Sequence, residues 1–281
     1  MRRFALPHGL PIARQTLALL ALLLTWGPAK ALELQGEPVQ GGLIFGATAP
    51  GSTVTLDGRK LLVSGEGRFL FGFGRDDTGS VTLEVQPPDT DPVTREITIA
   101  PREYNIERVD GLPPATVTPP PEVIERTRRE AALVAQARTR RDNRTDWAAG
   151  FTWPAQGRLS GFYGSQRVLN GEPRRPHYGV DVAAPTGTPV LAPAPGIVTL
   201  AEPDLYFSGG TLIIDHGQGL SSTFLHLSAV SVAVGDTVNT GDKIGEIGAT
   251  GRATGPHLDW RMNWYDKRVD PQPLAGDMPV E

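Results

Sequence analysis

Short apolar runs separated by turn residues fill the chain from Phe151 onward and leave little room for helices. The clearest runs are 189–194, 196–201, 211–215 and 221–227. Runs of this length bounded by turn signals are typical of β-strands. The whole chain carries 33 glycines and 26 prolines, which suits many strands joined by tight turns. We therefore predict a mainly β protein in which helix is a minority.

The segment 32–111 repeats this pattern on a smaller scale. Residues 52–56 alternate between polar and apolar side chains, and Asp57-Gly58 is a strong two-residue hairpin signal. Residues 59–63 are then the candidate second strand of the hairpin. Further strand candidates are 68–73, 80–86 and 94–100. Five short strands at this spacing predict a small β-sandwich, and the segment resembles bacterial immunoglobulin-like modules. It contains no histidine, so we expect it to bind, space or dock rather than catalyse.

The first 31 residues have the order of a secretory signal. Arg2, Arg3 and Arg14 flank an apolar run at 17–24, and Ala29-Lys30-Ala31 resembles a signal-peptidase site. The alternative is an uncleaved anchor, but the run is shorter than the roughly 20 residues that a spanning helix needs. We predict cleavage, export to the periplasm of a Gram-negative bacterium, and no stable membrane insertion afterwards.

The charge and cysteine content restrict the partners. Cleavage removes four basic residues (Arg2, Arg3, Arg14 and Lys30) and no acidic ones, so the formal charge falls from −4 to −8. An acidic protein binds nucleic acid poorly, and we predict no nucleic-acid partner. The chain has no cysteine, so no disulfide can hold the fold together.

A proline-rich stretch and a polar helix separate the two β regions. Residues 112–121 predict an extended polyproline spacer, and 122–141 predict a helix with a thin apolar stripe. That helix is either a solvated connector or a docking element for a partner or an anionic polymer. The predicted organisation is a signal at 1–31, a β-sandwich at 32–111, a linker and helix at 112–150, a second β domain at 151–275, and a tail at 276–281.

The chemistry centres on His177 and Asp181. Gly179 and Val180 between them favour a strand, where residues four apart point to the same face. Gly179 lies between them on that face, and its missing side chain leaves room for an ion. Histidine and aspartate are suitable zinc ligands, so we predict that the pair holds a metal.

Two further segments extend the polar set. His257 and Asp259 share one face of a strand whose other face carries Leu258 and Trp260, as expected for a strand that borders a polar groove over a core. His226 lies in an otherwise apolar strand, where burying it without a partner would be costly.

The runs PHYGVDVAAPTGTPVLAPAPGIV, GGTLIIDHGQGLSSTFLHLS and VGDTVNTGDKIGEIGATGRATGPHLDW resemble the lysostaphin-type (LytM-like) zinc metallopeptidases, which cut peptidoglycan cross-links. The resemblance covers about residues 151–273. It implies the duplicated hybrid motif fold, in which antiparallel β-sheets enclose a long substrate groove. It also implies one Zn²⁺ per chain, or another divalent ion in its place, and peptidoglycan as substrate.

The resemblance assigns roles position by position. His177 and Asp181 match two metal ligands, and His226 and His257 match the catalytic histidines. The family's HxH motif is His-Leu-Asp here, so Asp259 stands where the third ligand is a histidine. His216 matches a position that is usually structural, and we leave it out of the site. Tyr163 and Tyr206 either line the groove or pack.

The change at Asp259 leaves two interpretations open. A divalent ion with two histidines and one aspartate keeps a net charge of +1, whereas His177, Asp181 and Asp259 reduce it to zero and weaken the ion as an electrophile. Either Asp259 ligates the metal, or it turns away and pairs with Arg261 two residues on.

The sequence thus predicts a zinc-dependent endopeptidase that cleaves peptidoglycan stem peptides or cross-links in the cell envelope. The alternative is a non-catalytic LytM-like factor that binds the wall or activates a separate hydrolase. A wall amidase or a division protein is the expected protein partner.

Overall fold

The computed structural model describes residues 32–109, 121–169 and 171–279. The predicted signal at 1–31 and nearly all of the predicted spacer at 112–121 lie outside these ranges. Within them the chain is mainly antiparallel β-structure, which confirms the predicted fold class. No helix in the described part is long and apolar enough to cross a bilayer.

Two small antiparallel sheets form the N-terminal module. Their orders are β1-β2-β5 and β4-β3-β6-β7, and both contribute to one buried core. The hairpin at Asp57-Gly58 forms as predicted, with positive φ values of 47° and 75°. The strands are β1 (Glu33–Gln35), β2 (Leu43–Ala47), β3 (Thr53–Leu56), β4 (Arg59–Lys60), β5 (Arg68–Gly72), β6 (Ser80–Gln86) and β7 (Val93–Thr98).

The sequence prediction missed β1 and β2. Gly46 interrupts the apolar pattern of β2, but a Cβ at this position would lie 2.1 Å from the Phe69 ring. The glycine therefore allows close packing between β2 and β5 instead of ending a strand.

The C-terminal domain is built on a ten-stranded sheet. Its main path is β17-β14-β15-β16-β19-β12-β9; β18 pairs with β13 and β16, and β20 pairs with β19. A separate three-stranded sheet, β11-β10-β8, joins residues 106–109 to this domain. The strands are β8 (Ile106–Val109), β9 (Arg158–Gly161), β10 (Gln166–Leu169), β11 (Glu172–Pro173), β12 (Gly179–Ala183), β13 (Pro189–Leu191), β14 (Gly196–Leu205), β15 (Gly209–Asp215), β16 (Leu220–Val230), β17 (Thr237–Val238), β18 (Lys243–Ile247), β19 (Leu258–Trp264) and β20 (Lys267–Val269).

Strand β19 separates a hydrophobic core from a polar face. Leu258, Trp260 and Met262 are fully buried in the core on one side. By strand alternation Asp259 and Arg261 point to the opposite side, which we call the site face. Cross-strand partners share a face in antiparallel sheets, so the partners of these two residues on β12 and β16 also lie there.

Helix α1 (Pro121–Ala137) lies against the site face at the β14–β15 end of the sheet. Val134 and Ala137 pack on Leu200, Leu205 and Ile213. The last turn is therefore packed on the domain, and the interpretation of a solvated connector is wrong for it. Ile124 and Leu133 are exposed, which agrees with that interpretation for the rest of the helix. The helix also ends four residues before the predicted 141. The other helical elements are a 3₁₀ turn (Asp146–Ala149) and α2 (Gln272–Ala275).

The N-terminal module packs directly on the C-terminal domain. Phe45 stacks on Trp147 at 5.1 Å between ring centroids, and the Arg59 guanidinium lies 4.6 Å from the Tyr265 ring centre. The Asp270 amide donates to the Gly41 carbonyl at 2.8 Å. Apolar, cation–π and backbone contacts thus hold the module against the sheet.

Candidate functional site

Three predicted metal ligands converge on the site face. His177, Asp181 and Asp259 each offer one ligand atom, and these atoms lie within 4.8 Å of one another. His177 Nε2 is 3.2 Å from Asp181 Oδ1, and both atoms are buried without a hydrogen-bond partner among the described residues. Buried polar atoms are normally satisfied, so this pair indicates a missing binding partner. One nitrogen and two carboxylate donors suit a divalent cation, and the residues fit such an ion.

The strand register brings the ligands together. Asp181 on β12 is the direct cross-strand partner of Asp259 on β19. On the other side of β12, a Cβ at Gly161 would lie 2.1 Å from Asp181 Oδ2, so only glycine leaves room for this carboxylate. His177 precedes β12 and is fixed by its backbone, which donates to the Ser165 carbonyl and accepts from the Gly164 amide, both at 2.8 Å.

Asp259 combines the two interpretations that the sequence left open. Its carboxylate accepts from Arg261 Nε at 2.9 and 3.0 Å through its two oxygens, yet it stays within the ligand cluster. The expected space at Gly179 is filled, because a Cβ there would meet Arg261 Cγ at 2.6 Å and Asp259 Oδ1 at 2.7 Å. Asp259 therefore pairs with Arg261 without turning away from His177 and Asp181.

The guanidinium changes the charge of the site. A divalent ion with Asp181, Asp259 and Arg261 would have a net charge of +1, the value expected for a two-histidine, one-aspartate site. Burial alone would raise the pKa of Asp259, but the charge and the hydrogen bonds of Arg261, together with the nearby His177 and His226, outweigh burial and hold that pKa below its ordinary value. Burial lowers the pKa of His177, but the Asp181 and Asp259 carboxylates outweigh it, so the net shift is upward.

His226 lies beside the cluster in an unusual backbone conformation. Its φ of 65° is in the left-handed region, where the backbone conformation of a residue other than glycine is less favourable by an energy of order 1 kcal/mol. The register of β16 shifts next to it, between Leu227 and Ala229, and its amide donates to the Ser208 carbonyl at 2.8 Å. Backbone strain of this kind is concentrated at functional sites.

His226 and His257 present the same nitrogen to the site. Nδ1 of His226 donates to the Thr250 carbonyl at 2.9 Å, and Nδ1 of His257 donates to the Gly255 carbonyl at 2.8 Å. In the neutral form Nε2 of each ring is therefore unprotonated. The rings lie 4.8 Å apart, and His257 Nε2 is 4.0 Å from Asp181 Oδ1. Burial lowers the pKa of His226, which favours the neutral base.

The remaining candidates lie elsewhere. His216 is buried between the Pro195 carbonyl at 2.7 Å and Ser222 Oγ at 2.8 Å. Tyr163 is also buried, and its hydroxyl donates to the Arg268 carbonyl at 2.7 Å, so it packs and does not line the groove. Tyr206 is 40% exposed beside α1, where its amide donates to Glu130.

The sequence analysis missed Arg138 and Arg268, which reach the same face near Arg261. Arg138 donates to Thr223 Oγ1 at 2.9 Å, and Arg268 donates to Asn263 Oδ1 at 3.0 Å. One local signal could have indicated Arg268: its partner Asn263 is a polar residue two positions after Arg261, so both lie on the same face of the strand. Arg138 comes from a distant segment and had no such signal.

Comparisons with known proteins agree with this geometry. The family model described as Peptidase family M23 matches residues 175–271. DD-carboxypeptidase/endopeptidase Mpg of Neisseria meningitidis serogroup B is 43% identical over 100 residues, which are 36% of this chain and 22% of that protein. Peptidoglycan DD-endopeptidase ShyA of Vibrio cholerae is 37% identical over 108 residues, which are 37% of this chain and 25% of that protein. The match thus spans about a quarter of the length of these curated relatives.

The similarity to a solved structure extends further along the chain. A putative peptidase M23 from Pseudomonas aeruginosa is 32% identical, with a TM-score of 0.66, and the match covers 85% of this chain and 96% of that one. A match over 85% of this chain is too long to be confined to the domain that carries the candidate site. The chain therefore belongs to peptidase family M23.

Proposed function

We propose that the chain is a zinc-dependent endopeptidase that cleaves stem peptides or cross-links of peptidoglycan in the cell envelope. The observation that carries the proposal is the convergence of His177, Asp181 and Asp259 beside two imidazoles whose Nε2 atoms are free to accept a proton. The names of the Mpg and ShyA relatives support the substrate class. We also propose that the protein is exported to the periplasm, with a wall amidase or a division protein as its partner.

The side chains divide the work of peptide hydrolysis. His177, Asp181 and Asp259 would hold the ion, which supplies Lewis-acid chemistry when bound. Neutral His226 would accept a proton from the attacking water at Nε2, since burial keeps its pKa low. His226 would then give that proton to the leaving amine, and His257, 4.8 Å away between ring centroids, would accept a hydrogen bond from the attacking water at its unprotonated Nε2 and orient it. Arg261 would orient Asp259 and cancel its charge.

The direct test is digestion of purified sacculi. The protein is stripped with EDTA, incubated with sacculi with and without added zinc, and the released fragments are identified by mass spectrometry. We expect new stem-peptide ends only with zinc, and none with Asp259→Ala. Asp91→Ala, which changes an exposed carboxylate in the N-terminal module, is the matched control and should cleave like the parent. Zinc-independent release, or full activity of Asp259→Ala, would contradict the proposal.

The ion pair between Asp259 and Arg261 favours one other function. Because the guanidinium already neutralises this carboxylate, the chain could keep its groove for binding the wall or for activating a separate hydrolase without turning over peptide. This second candidate predicts intact sacculi that retain bound protein, with less than one zinc per chain after mild purification.

A further inference from the structure

Three arginines meet on the site face beside the ligand cluster, and we call them the arginine cluster: Arg138, Arg261 and Arg268. Arg261 projects from β19. Arg268 lies on β20 opposite Asn263 and donates to its Oδ1 at 3.0 Å. Arg138 follows α1 and donates to Thr223 Oγ1 at 2.9 Å, and Thr223 is the cross-strand partner of Arg261. The three guanidinium groups thus come from three segments to one place.

Two members of the cluster have no acidic partner within the described ranges. Arg261 pairs with Asp259, whereas Arg138 and Arg268 donate only to neutral oxygens, and Arg138 Nε is buried without any hydrogen-bond partner in the described part of the chain. Burial lowers the pKa of Arg138 to about 9 and that of Arg268 to about 10, and the neighbouring arginine charges add to both shifts. Holding such charges together without compensation is unfavourable for folding.

A shortage of acidic residues does not explain this. The chain has 31 acidic and 27 basic side chains, and other half-buried arginines are well paired. Arg144 contacts Asp142, Asp146 and Asp215, and Arg126 contacts Glu130 and Asp204. The unpaired positive charge is therefore local to the candidate site, and it is the arrangement expected where an anion from outside the chain binds.

The arginine cluster is continuous with the candidate metal site. The Arg268 guanidinium lies 5.9 Å from the ring centre of Tyr178, the residue that follows His177. Arg175 approaches the same ring at 5.7 Å and is exposed. A ligand that contacts the cluster would therefore lie beside His177 and Asp259 rather than on a remote surface.

We propose that Arg138 and Arg268 form a subsite for a free carboxylate of the peptide substrate, next to the position where the scissile bond would lie. The proposal rests on the proposed function, because it takes peptidoglycan stem peptides as the ligand class. A guanidinium presents parallel N–H donors that match a carboxylate, and a bond between two charged partners is stronger than one between neutral groups. The carboxylate is either the chain end of the stem or a carboxylate on an internal residue.

The test measures binding to the full chain in EDTA, so that neither cleavage nor metal contributes. The probes are N-acetyl-D-alanyl-D-alanine, which has a terminal carboxylate, and N-acetyl-γ-D-glutamyl-D-alaninamide, which has an internal one. The neutral reference is N-acetyl-D-alanyl-D-alaninamide. Dissociation constants are measured by calorimetry or by NMR titration. We expect at least one carboxylate probe to bind about tenfold more tightly than the amide, as one charge-assisted bond provides. The tighter of the two probes identifies the source of the carboxylate.

The variants locate the effect. Arg268→Gln and Arg138→Gln should each reduce the preference for carboxylate to within about twofold, whereas Arg129→Gln, an exposed arginine on α1, should preserve it. If Arg138→Gln does not fold, Arg268→Gln alone decides. Equal binding of all three probes, or a preference that survives Arg268→Gln, overturns the subsite.

The outcome also separates this proposal from the proposed function. Cleavage of sacculi without a carboxylate preference refutes the subsite alone. A preference that depends on Arg268, in a protein that never cleaves sacculi, supports the subsite and refutes the hydrolase.

Discussion

A buried and a half-buried histidine of the same domain differ in how their ring nitrogens are satisfied. His216, at the end of β15, has both nitrogens engaged, by the Pro195 carbonyl and by Ser222. His177, before β12, leaves Nε2 buried with no hydrogen-bond partner in the described part of the molecule. Burial lowers the pKa of His216 to about 4, whereas nearby carboxylates outweigh burial and raise the pKa of His177.

The difference shows that burial of a histidine does not by itself mark a site. His216 is complete within the fold and needs no ligand. His177 faces two carboxylates, and its Nε2, 3.2 Å from Asp181 Oδ1, makes no hydrogen bond within the described residues, which is the arrangement expected where a cation binds. Asp259 also depends on a neighbour. Water cannot stabilise the charge of this buried carboxylate, so the Arg261 guanidinium does so instead.

Removal of Arg261 should cause the largest loss of stability. Arg261→Met leaves the Asp259 carboxylate buried without its partner, and breaking such a pair costs about 3 to 5 kcal/mol. We expect this loss in urea unfolding of the metal-free protein. Zinc should restore more stability to the variant than to the parent, because two uncompensated carboxylates attract the ion more strongly.

The control for this prediction is Arg129→Met, which removes an exposed, ion-paired arginine of α1 and should change stability by no more than about 1 kcal/mol. A metal-free Arg261→Met protein as stable as the parent would show that Asp259 does not depend on the guanidinium.

Acid should weaken the fold through His216. Its pKa is about 4 in the folded chain and about 6.5 when unfolded, so the unfolded state binds the extra proton first. Stability should therefore be full above pH 6.5 and fall by roughly 3 kcal/mol as the pH drops from 6.5 to 4. Urea unfolding across this range measures the loss.

A His216→Gln variant isolates this contribution, since glutamine does not titrate. It should be less stable at pH 7 but show a shallower decline between pH 6.5 and 4 than the parent. An identical decline in both proteins would assign the acid sensitivity to other groups.

Zinc should stabilise the parent by a smaller amount that depends on concentration. At a free zinc concentration of about 100 times Kd, binding to the folded state alone adds about 2.7 kcal/mol. His177→Ala should abolish this gain, and His216→Gln should keep it. A zinc-dependent rise in Tm that survives His177→Ala would place the ion elsewhere.

Local sequence signals predicted individual elements well where propensity and packing agree. The Asp57-Gly58 hairpin and strand β6 formed where they were expected. Strand β2 was missed because Gly46 serves a close contact with Phe69, which lies in a different strand and leaves no local pattern. Helix α1 stops at Ala137, before the predicted 141, and local turn hydrogen bonds from Arg138 and Thr139 follow it.

The sequence predicted from its motif spacing that His177 and Asp181 share one face and that His257 and Asp259 share another strand's face, and the family resemblance assigned the ligand and catalytic roles. The sequence also placed Arg261 two residues from Asp259. The sequence did not settle whether Asp259 turns away, and the packed fold shows it paired with Arg261 while it stays beside His177 and Asp181. The fold also brings Arg138 from the end of α1 onto the sheet. Neither feature follows from local patterns, because charge pairing across strands and between segments depends on distances that arise only when those segments pack.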